Sequence, residues 1–139
     1  MSDIKVAPTD AAALMEHFLA GMIFTPYEDL DTALQAFINP AYTQVTDGVK
    51  ADRSEFVAHM AHVRGAIASG HVVVHEALRE GRRIADRHTI HIAMHDGRAS
   101  SFEVLLIGSL DERDRLLEVF ETTRQLTGDA DHADLGSAR

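Results

Sequence analysis

The spacing of apolar residues changes once along this chain, at Ser69-Gly70, and that change limits the folds available to it. Before this dipeptide, apolar residues recur every three or four positions, as they do on the buried face of a helix. After it they recur about every second position, which is the period of side chains on one face of a strand. We therefore predict helices in the first half of the chain and strands in the second.

The second half carries the signals of a β-meander. Its predicted strands are residues 71–80, 83–95, 100–110 and 116–123. Gly81-Arg82 and Asp96-Gly97 separate the first three strands, and both dipeptides are typical of tight hairpin turns. Strands that are joined by turns this short must run antiparallel. Helices followed by an antiparallel sheet indicate the α+β class and not the alternating α/β class.

The first half of the chain is predicted to be mainly helical. Its first helix begins after Asp10, carries a broad apolar stripe and ends before Pro26, because the residue ahead of a proline avoids helical dihedrals. Its last helix begins at Asp52, where Glu55 three residues later fits a capping box. Between them we predict a short helix at 28–38 and a short strand at 41–46.

Composition excludes several classes of function. The 139 residues are 45% hydrophobic and 25% charged, which is typical of one globular domain. We predict one domain at residues 1–127 and a flexible tail at 128–139, where large apolar side chains are few. A formal charge of −9 argues against nucleic-acid partners and against anionic membrane surfaces. The absence of cysteine excludes thiolate catalysis and cysteine-bound metals.

The start of the chain and the length of its apolar runs bear on location. Residues 1–10 lack the basic and then apolar pattern of a secretory signal. No apolar run approaches the roughly 18 residues that a membrane-spanning helix needs. We therefore expect a cytoplasmic protein with no membrane partner.

Four short motifs follow one another in an informative order. They are Tyr42-Thr43-Gln44 ahead of Asp47-Gly48, the stretch Glu80-Gly81-Arg82-Arg83-Ile84-Ala85, the turn from Leu110-Asp111-Glu112 to Leu116, and Glu121-Thr122-Thr123-Arg124. In this order they resemble the SnoaL-like branch of the NTF2-like superfamily over residues 10–127. The resemblance implies a cone-shaped, curved antiparallel sheet wrapped around the N-terminal helices. The superfamily includes ketosteroid isomerase, dehydratases, polyketide cyclases and noncatalytic binding proteins, so the fold leaves function open.

The predicted strand 83–95 presents a candidate acid–base pair. Its more apolar face, which we expect to line the cone, carries Ile84, Asp86, His88, Ile90 and Ile92. A carboxylate beside an imidazole can orient the ring and raise its basicity, as a general base requires. Asp86 and His88 are therefore candidate catalytic residues. The alternative is a structural pair or a wet cavity mouth.

The predicted strand 100–110 is apolar on both faces, so we expect both to be covered. Glu103 shares one face with Leu105 and Ile107. The resemblance implies a functional acid on this strand, and burial among apolar side chains raises the pKa of a carboxyl group. We therefore assign Glu103 to the pocket as a candidate catalytic acid or base. The alternative is that Glu103 points outward and pairs with an arginine such as Arg87.

The opposite face of that strand then becomes the outer one. It carries Phe102, Val104 and Leu106, to which Phe120 on the last strand can be added. A monomer that exposed these side chains would have a large apolar patch. We therefore expect a homodimer that covers this face.

Four more residues are candidate substrate contacts: Tyr42, His59, Phe18 and Glu121. The Tyr42 hydroxyl could orient a carbonyl group, although most tyrosines are amphipathic core residues. His59 could face the cavity from the last helix, and Glu121 could line it or pair with Arg124 at the surface. Phe18 stands where the resemblance implies the oxyanion-binding tyrosine of ketosteroid isomerase.

Val45 stands where the resemblance implies the aspartate base of ketosteroid isomerase, so we do not carry over that enzyme's mechanism. One hypothesis remains an isomerase, dehydratase or cyclase that acts on an apolar carbonyl substrate through Glu103, His88 and Asp86. The other is a noncatalytic metabolite-binding or assembly module. We expect no cofactor, because no dinucleotide or phosphate-loop motif occurs, and no metal, because the nine histidines form no ligand set.

Overall fold

The three helices all precede the four long strands of the meander, as the apolar spacing predicts. The computed structural model describes residues 10–128, so the predicted tail lies outside the described residues from 129 onward. The elements are α1 (Ala11–Ile23), α2 (Leu30–Leu34), β1 (Ile38–Thr46), β2 (Val49–Asp52), α3 (Arg53–Ala66), β3 (Ile67–Glu80), β4 (Arg83–Met94), β5 (Ala99–Leu110) and β6 (Leu116–Thr127). No helix within residues 10–128 is long and apolar enough to cross a membrane.

The two longer helices begin at aspartate caps. The Asp10 carboxylate accepts a hydrogen bond from the Ala12 backbone N–H at 3.0 Å. The Asp52 carboxylate accepts from the Glu55 backbone N–H at 2.9 Å, and the Glu55 carboxylate accepts from the Asp52 N–H at 3.1 Å. The predicted capping box is therefore confirmed, and it satisfies backbone donors that the helix itself leaves unpaired.

The short second helix is the element that sequence reasoning placed least well. α2 ends at Leu34, four residues before the predicted end; residues 35–37 form turns, and β1 begins at Ile38. Pro40, which falls between the predicted helix at 28–38 and the predicted strand at 41–46, lies inside β1. It is tolerated there because the β1–β6 pairing shifts register between Ile38 and Thr43, so its missing N–H interrupts no regular ladder.

The six strands form one sheet in the order β2-β1-β6-β5-β4-β3. The meander from β3 to β6 is antiparallel, as predicted, but β1 pairs with β6 in parallel, so the prediction of a wholly antiparallel sheet is wrong at this pair. The turn argument applies only to consecutive strands, and the long connection between these two permits either direction. β2 was not predicted; it pairs with β1 across Asp47 and Gly48, which have φ angles of 51° and 84°.

The helices pack on one face of the curved sheet and leave the other face open. The inner, concave face contributes Phe102, Val104 and Leu106 to the core, whereas Leu105 and Ile107 are each 52% exposed on the convex face. The prediction for β5 therefore exchanged the two faces of the strand: Phe102, Val104 and Leu106 belong to the core and not to an outer dimer face. Register explains the true assignment, because Val104 pairs with His88 and Leu106 with Asp86 on β4. Directly paired residues share a face of the sheet.

Candidate functional site

An apolar cavity of about 120 Å³ lies between the concave face of the sheet and the helices α1 and α3. Its apolar wall includes Met15, Met22, Phe56, Met60, Ile90 and Val104. Tyr42, Gln44, His59, His88, Glu121 and Thr123 bring polar atoms to the same cavity. A mostly apolar pocket with a few convergent polar groups is the usual form of a small-molecule site.

The first polar feature is the Asp86–His88 pair on β4. The two residues are two positions apart on a strand, so both side chains point to the inner face. His88 Nδ1 lies 2.8 Å from Asp86 Oδ2, and the side chains are 1% and 0% exposed. An ionised carboxylate can only accept a hydrogen bond, so with Asp86 in that form Nδ1 is the donor and Nε2 is the nitrogen left for a ligand.

Asp86 is hydrogen-bonded to His88 but does not itself line the cavity. Its second carboxylate oxygen, Oδ1, is buried and has no hydrogen-bond partner among residues 10–128. A buried carboxylate with one unsatisfied oxygen costs free energy, so packing alone does not account for this residue. Among the side chains of residues 10–128, its hydrogen-bond partner is the imidazole of His88, which lines the cavity.

The second polar feature is a chain of hydrogen bonds from β1 to β6. Tyr42, Gln44 and Thr46 alternate along β1 and so share its inner face. The Tyr42 hydroxyl donates to Gln44 Oε1 at 2.8 Å, and Gln44 Nε2 donates to Thr46 Oγ1 at 3.1 Å. The Thr46 hydroxyl donates to Glu121 Oε1 at 2.9 Å, so the chain ends on a carboxylate.

Burial controls the electrostatics of both ends of this chain. It raises the pKa of the Glu121 carboxyl above its ordinary value of 4.5, and the charges of Asp86 and Asp47 act in the same direction. The Thr46 hydrogen bond and the charge of His88 oppose the shift without cancelling it. Burial, together with the charge of Glu121, also raises the pKa of Tyr42 well above 10.0. Tyr42 therefore stays neutral, whereas Glu121 is a carboxyl that takes up a proton more readily than a solvated one.

No protein-family model matches this chain. Similarity is found to one protein sequence and to several solved structures. An uncharacterised protein of Schizosaccharomyces pombe is 25% identical over 120 residues, which cover 84% of this chain and 92% of that protein. TsrD from Streptomyces laurentii has a TM-score of 0.66 at 18% identity and covers 96% of this chain and 100% of its own.

Two further solved structures carry functional descriptions. IdmH from Streptomyces antibioticus, a proposed polyketide cyclase, has a TM-score of 0.63 at 17% identity over 85% of this chain and 92% of its own. A proposed SnoaL-like polyketide cyclase from Jannaschia sp. CCS1 has a TM-score of 0.60 at 13% identity over 88% of this chain and 91% of its own. The chain has the SnoaL-like fold. Identities this low establish the fold alone, so chemistry must be argued from the site.

Within this SnoaL-like fold, Glu103 lies on the convex face, away from the cavity. Its carboxylate is 3.0 Å from Arg124 Nη2 and 3.5 Å from Arg87 Nη1. The hydrogen bond from Arg124 is the main reason that the pKa of Glu103 is lowered, whereas the pocket assignment required a raised pKa. The assignment of Glu103 as a catalytic acid or base is therefore wrong, and the outward alternative with Arg87 is the observed one.

The other candidates divide between the cavity and the core. Tyr42, His59 and Glu121 line the cavity. Phe18 does not; it is 1% exposed in the packed core beneath α1, so its assignment as a substrate contact is wrong. The helical stripe of α1 identified Phe18 as buried, but a stripe does not separate the side chains that fill the core from those that border the cavity.

Gln44 and Thr46 are the site residues that sequence reasoning missed. Both are buried, at 6% and 1% exposure. The available signal was the alternation of three polar residues on the inner face of a strand, which demands hydrogen-bond partners within the protein. The histidines, by contrast, form no metal site: within residues 10–128, no group of three or more histidine or carboxylate side chains could hold an ion.

Proposed function

We propose that this protein is an enzyme that transfers a proton on a small, apolar, carbonyl-bearing substrate, as isomerases, dehydratases and cyclases do. The observation that carries the proposal is the buried pair of Asp86 and His88, with 2.8 Å between carboxylate and imidazole, at the edge of an apolar cavity. Glu121 supplies a second proton carrier in the same cavity, because burial raises its pKa.

His88 is the proposed base. Its Nε2 removes a proton from the carbon next to the substrate carbonyl, and the electron pair of the broken C–H bond moves toward the carbonyl oxygen to give an enolate. The imidazolium that forms is stabilised by the Asp86 carboxylate, which makes Asp86 a positioning residue. Where the substrate carries a C=C bond conjugated with this enolate, return of the proton from Nε2 to the far carbon of that double bond completes an isomerisation, and in a simple ketone the proton returns to the same carbon.

The size of the cavity restricts the substrate. Its volume of about 120 Å³ is well below the roughly 300–1,000 Å³ of sites that hold drug-sized ligands. A small cyclic ketone is the matching class of ligand. Larger ligands require movement of the flexible methionines Met15, Met22 and Met60, which line the cavity and adopt new rotamers easily.

The test is the exchange of the α-protons of cyclohexanone for deuterium in D2O, followed by NMR. We expect the protein to accelerate exchange and His88→Gln to remove the acceleration, a loss of about a hundredfold or more. Asp86→Asn should lower the rate while leaving cyclohexanone bound. The matched control is His62→Gln, which changes an exposed histidine of α3 that does not line the cavity.

A noncatalytic binding module is the second candidate, and one observation favours it. Tyr42, Gln44, Thr46 and Glu121 satisfy one another, which leaves few free polar groups to activate a substrate. Binding of cyclohexanone without accelerated exchange would overturn the enzyme proposal and support this one, whereas accelerated exchange that His88→Gln leaves unchanged would overturn the assignment of His88 as the base.

We also propose that the protein is a homodimer that buries its convex sheet face. Leu105, Ile107 and Phe120 are 52%, 52% and 49% exposed there, and they border one continuous groove with Leu78. An apolar cluster of this kind on an otherwise charged surface is typical of an interface. A second copy presents the same cluster to the first across a twofold axis.

A further inference from the structure

The hydrogen-bond chain from Tyr42 to Glu121 has a single direction. Each donor in it points toward the carboxylate: tyrosine to glutamine, glutamine to threonine, and threonine to Glu121. The only proton of the Tyr42 hydroxyl is therefore used within the chain. The Tyr42 side chain lines the cavity, and in this arrangement its oxygen has lone pairs but no proton to offer a ligand.

Every member of the chain can reverse its role. The hydroxyl groups of Tyr42 and Thr46 donate or accept by rotation of a single bond, and a half-turn of the Gln44 amide exchanges its oxygen and nitrogen. Within the described part of the chain, the Gln44 side chain makes no hydrogen bonds besides these two. Nothing else there fixes its orientation.

The reversed chain requires a proton on Glu121. A neutral Glu121 donates from its carboxyl O–H to Thr46 Oγ1, Thr46 then donates to Gln44 Oε1, and Gln44 Nε2 donates to the Tyr42 oxygen. Tyr42 then accepts within the chain, and its own proton points into the cavity. The proton comes from solvent, which reaches the half-buried Glu121.

We propose that Gln44 and Thr46 are positioning residues that couple the protonation of Glu121 to the hydrogen-bonding role of Tyr42 in the cavity. With Glu121 ionised, Tyr42 donates to Gln44 and can only accept from a ligand, so the site selects ligands that carry an O–H or N–H donor. With Glu121 neutral, Tyr42 accepts from Gln44 and donates to the ligand, so the site selects a carbonyl or enolate oxygen. This choice of ligand rests on the proposed function of the cavity; the reversal of the chain does not.

Some of the charged groups around Glu121 favour its ionised form, and others favour its neutral form. Asp47 in the β1–β2 turn and Asp86 on β4 disfavour a second negative charge, whereas His88 on β4 favours it. His59 faces the same cavity from α3, and Tyr42 stays neutral. Because several of these groups are ionisable, a pH effect alone does not identify Glu121. The test needs a variant that interrupts the hydrogen-bond chain and keeps every ionisable group.

Thr46→Val is that variant. Valine has nearly the shape of threonine but neither donates nor accepts, so Glu121 and Tyr42 remain in place and unconnected. The readout is the Fermi doublet of tyrosine in the Raman spectrum, whose intensity ratio is low for a phenol that donates and high for one that accepts. The chain has two tyrosines, so Tyr27→Phe leaves Tyr42 as the sole reporter.

In the Tyr27→Phe background, we expect the doublet ratio to rise as the pH falls, with a one-proton midpoint above 4.5, the ordinary pKa of glutamate. Glu121→Gln donates an amide N–H to Thr46 and should hold the ratio high at every pH. Thr46→Val should abolish the pH dependence. A ratio that is independent of pH, one that falls with decreasing pH, or one that still titrates in Thr46→Val would overturn the proposal.

The measurement is independent of catalysis. Loss of the deuterium exchange of cyclohexanone would remove the proposed enzyme function and leave the Raman titration intact. The ligand choice has its own readout: Glu121→Gln should bind cyclohexanone, which only accepts hydrogen bonds, several-fold more tightly than the parent protein at pH 8. Equal affinities would show that Tyr42 does not contact the carbonyl.

Discussion

Two glutamates on neighbouring strands show how differently the two faces of this sheet treat the same side chain. Glu103 on β5 points to the convex face, where Arg124 and Arg87 pair with it and lower its pKa. Glu121 on β6 points to the concave face, where burial raises its pKa. The residue type is the same, and solvation and neighbouring charge set the direction of each shift.

The same contrast holds for the apolar residues of β5. Val104 and Leu106 are buried against the helices, while Leu105 and Ile107 are half-exposed on the other side of the strand. The concave face thus combines an apolar wall with buried polar groups, and the convex face combines exposed ion pairs with an uncovered apolar cluster. We infer that chemistry belongs to the first face and assembly to the second.

The largest effect should come from the buried pair. We expect His88→Leu to lower the free energy of unfolding by about 3–5 kcal/mol, because it leaves the Asp86 carboxylate buried without its partner. Urea denaturation measures the loss. The double variant Asp86→Leu/His88→Leu should be more stable than His88→Leu, because it also removes the buried Asp86 carboxylate that has lost its partner. A single variant that loses less than about 1 kcal/mol, the cost of an exposed ion pair, would contradict the comparison.

The convex face should respond in assembly and not in fold. Ile107→Glu places a charge in the apolar cluster, and we expect it to weaken the dimer by about 2 kcal/mol or more, roughly thirtyfold in Kd. Sedimentation at a series of concentrations measures this. Val49→Glu is the control, because Val49 is also exposed, at 45%, but does not border the groove. If the parent protein is a monomer at high concentration, the dimer proposal fails.

Glu121 should make stability fall as the pH rises. Its pKa is higher in the folded state, so its favourable contribution is complete below pH 4.5 and is lost as the pH rises through the folded-state value. Glu121→Gln removes this loss. We expect the stability of the variant relative to the parent to increase from pH 4 to pH 8, in urea titrations at matched ionic strength. A relative stability that is the same at both values would argue against a raised pKa.

Glu103 should show the smallest effect and the opposite sign. Its pKa is lowered, so its contribution is present above pH 4.5 and is lost as the pH falls through the folded-state value. Glu103→Gln should therefore lose slightly more stability at pH 7 than at pH 3. The difference should shrink in 1 M salt, because exposed ion pairs are screened. A larger loss for Glu103→Gln than for His88→Leu would reverse the ranking of the two faces.

Local sequence signals predicted much of the fold because they depend on neighbouring residues. The capping box at Asp52 and Glu55 and the hairpin turns at Gly81 and Gly97 each involve only a few consecutive positions. The inner face of β4 was also predicted correctly, since its alternation of apolar residues is uninterrupted around Asp86 and His88. In that strand one face is clearly more apolar than the other, which fixes which side the core takes.

Where both faces of a strand are apolar, alternation identifies two faces but not their order. The sequence therefore determined that residues 100–110 form a strand and that Glu103, Leu105 and Ile107 share one side of it. Only the tertiary structure decided that this side is convex, because that choice depends on the register with β4 and on where the helices pack. The parallel pairing of β1 with β6 and the contact of Thr46 with Glu121 have the same origin, since each joins segments that lie far apart in the chain.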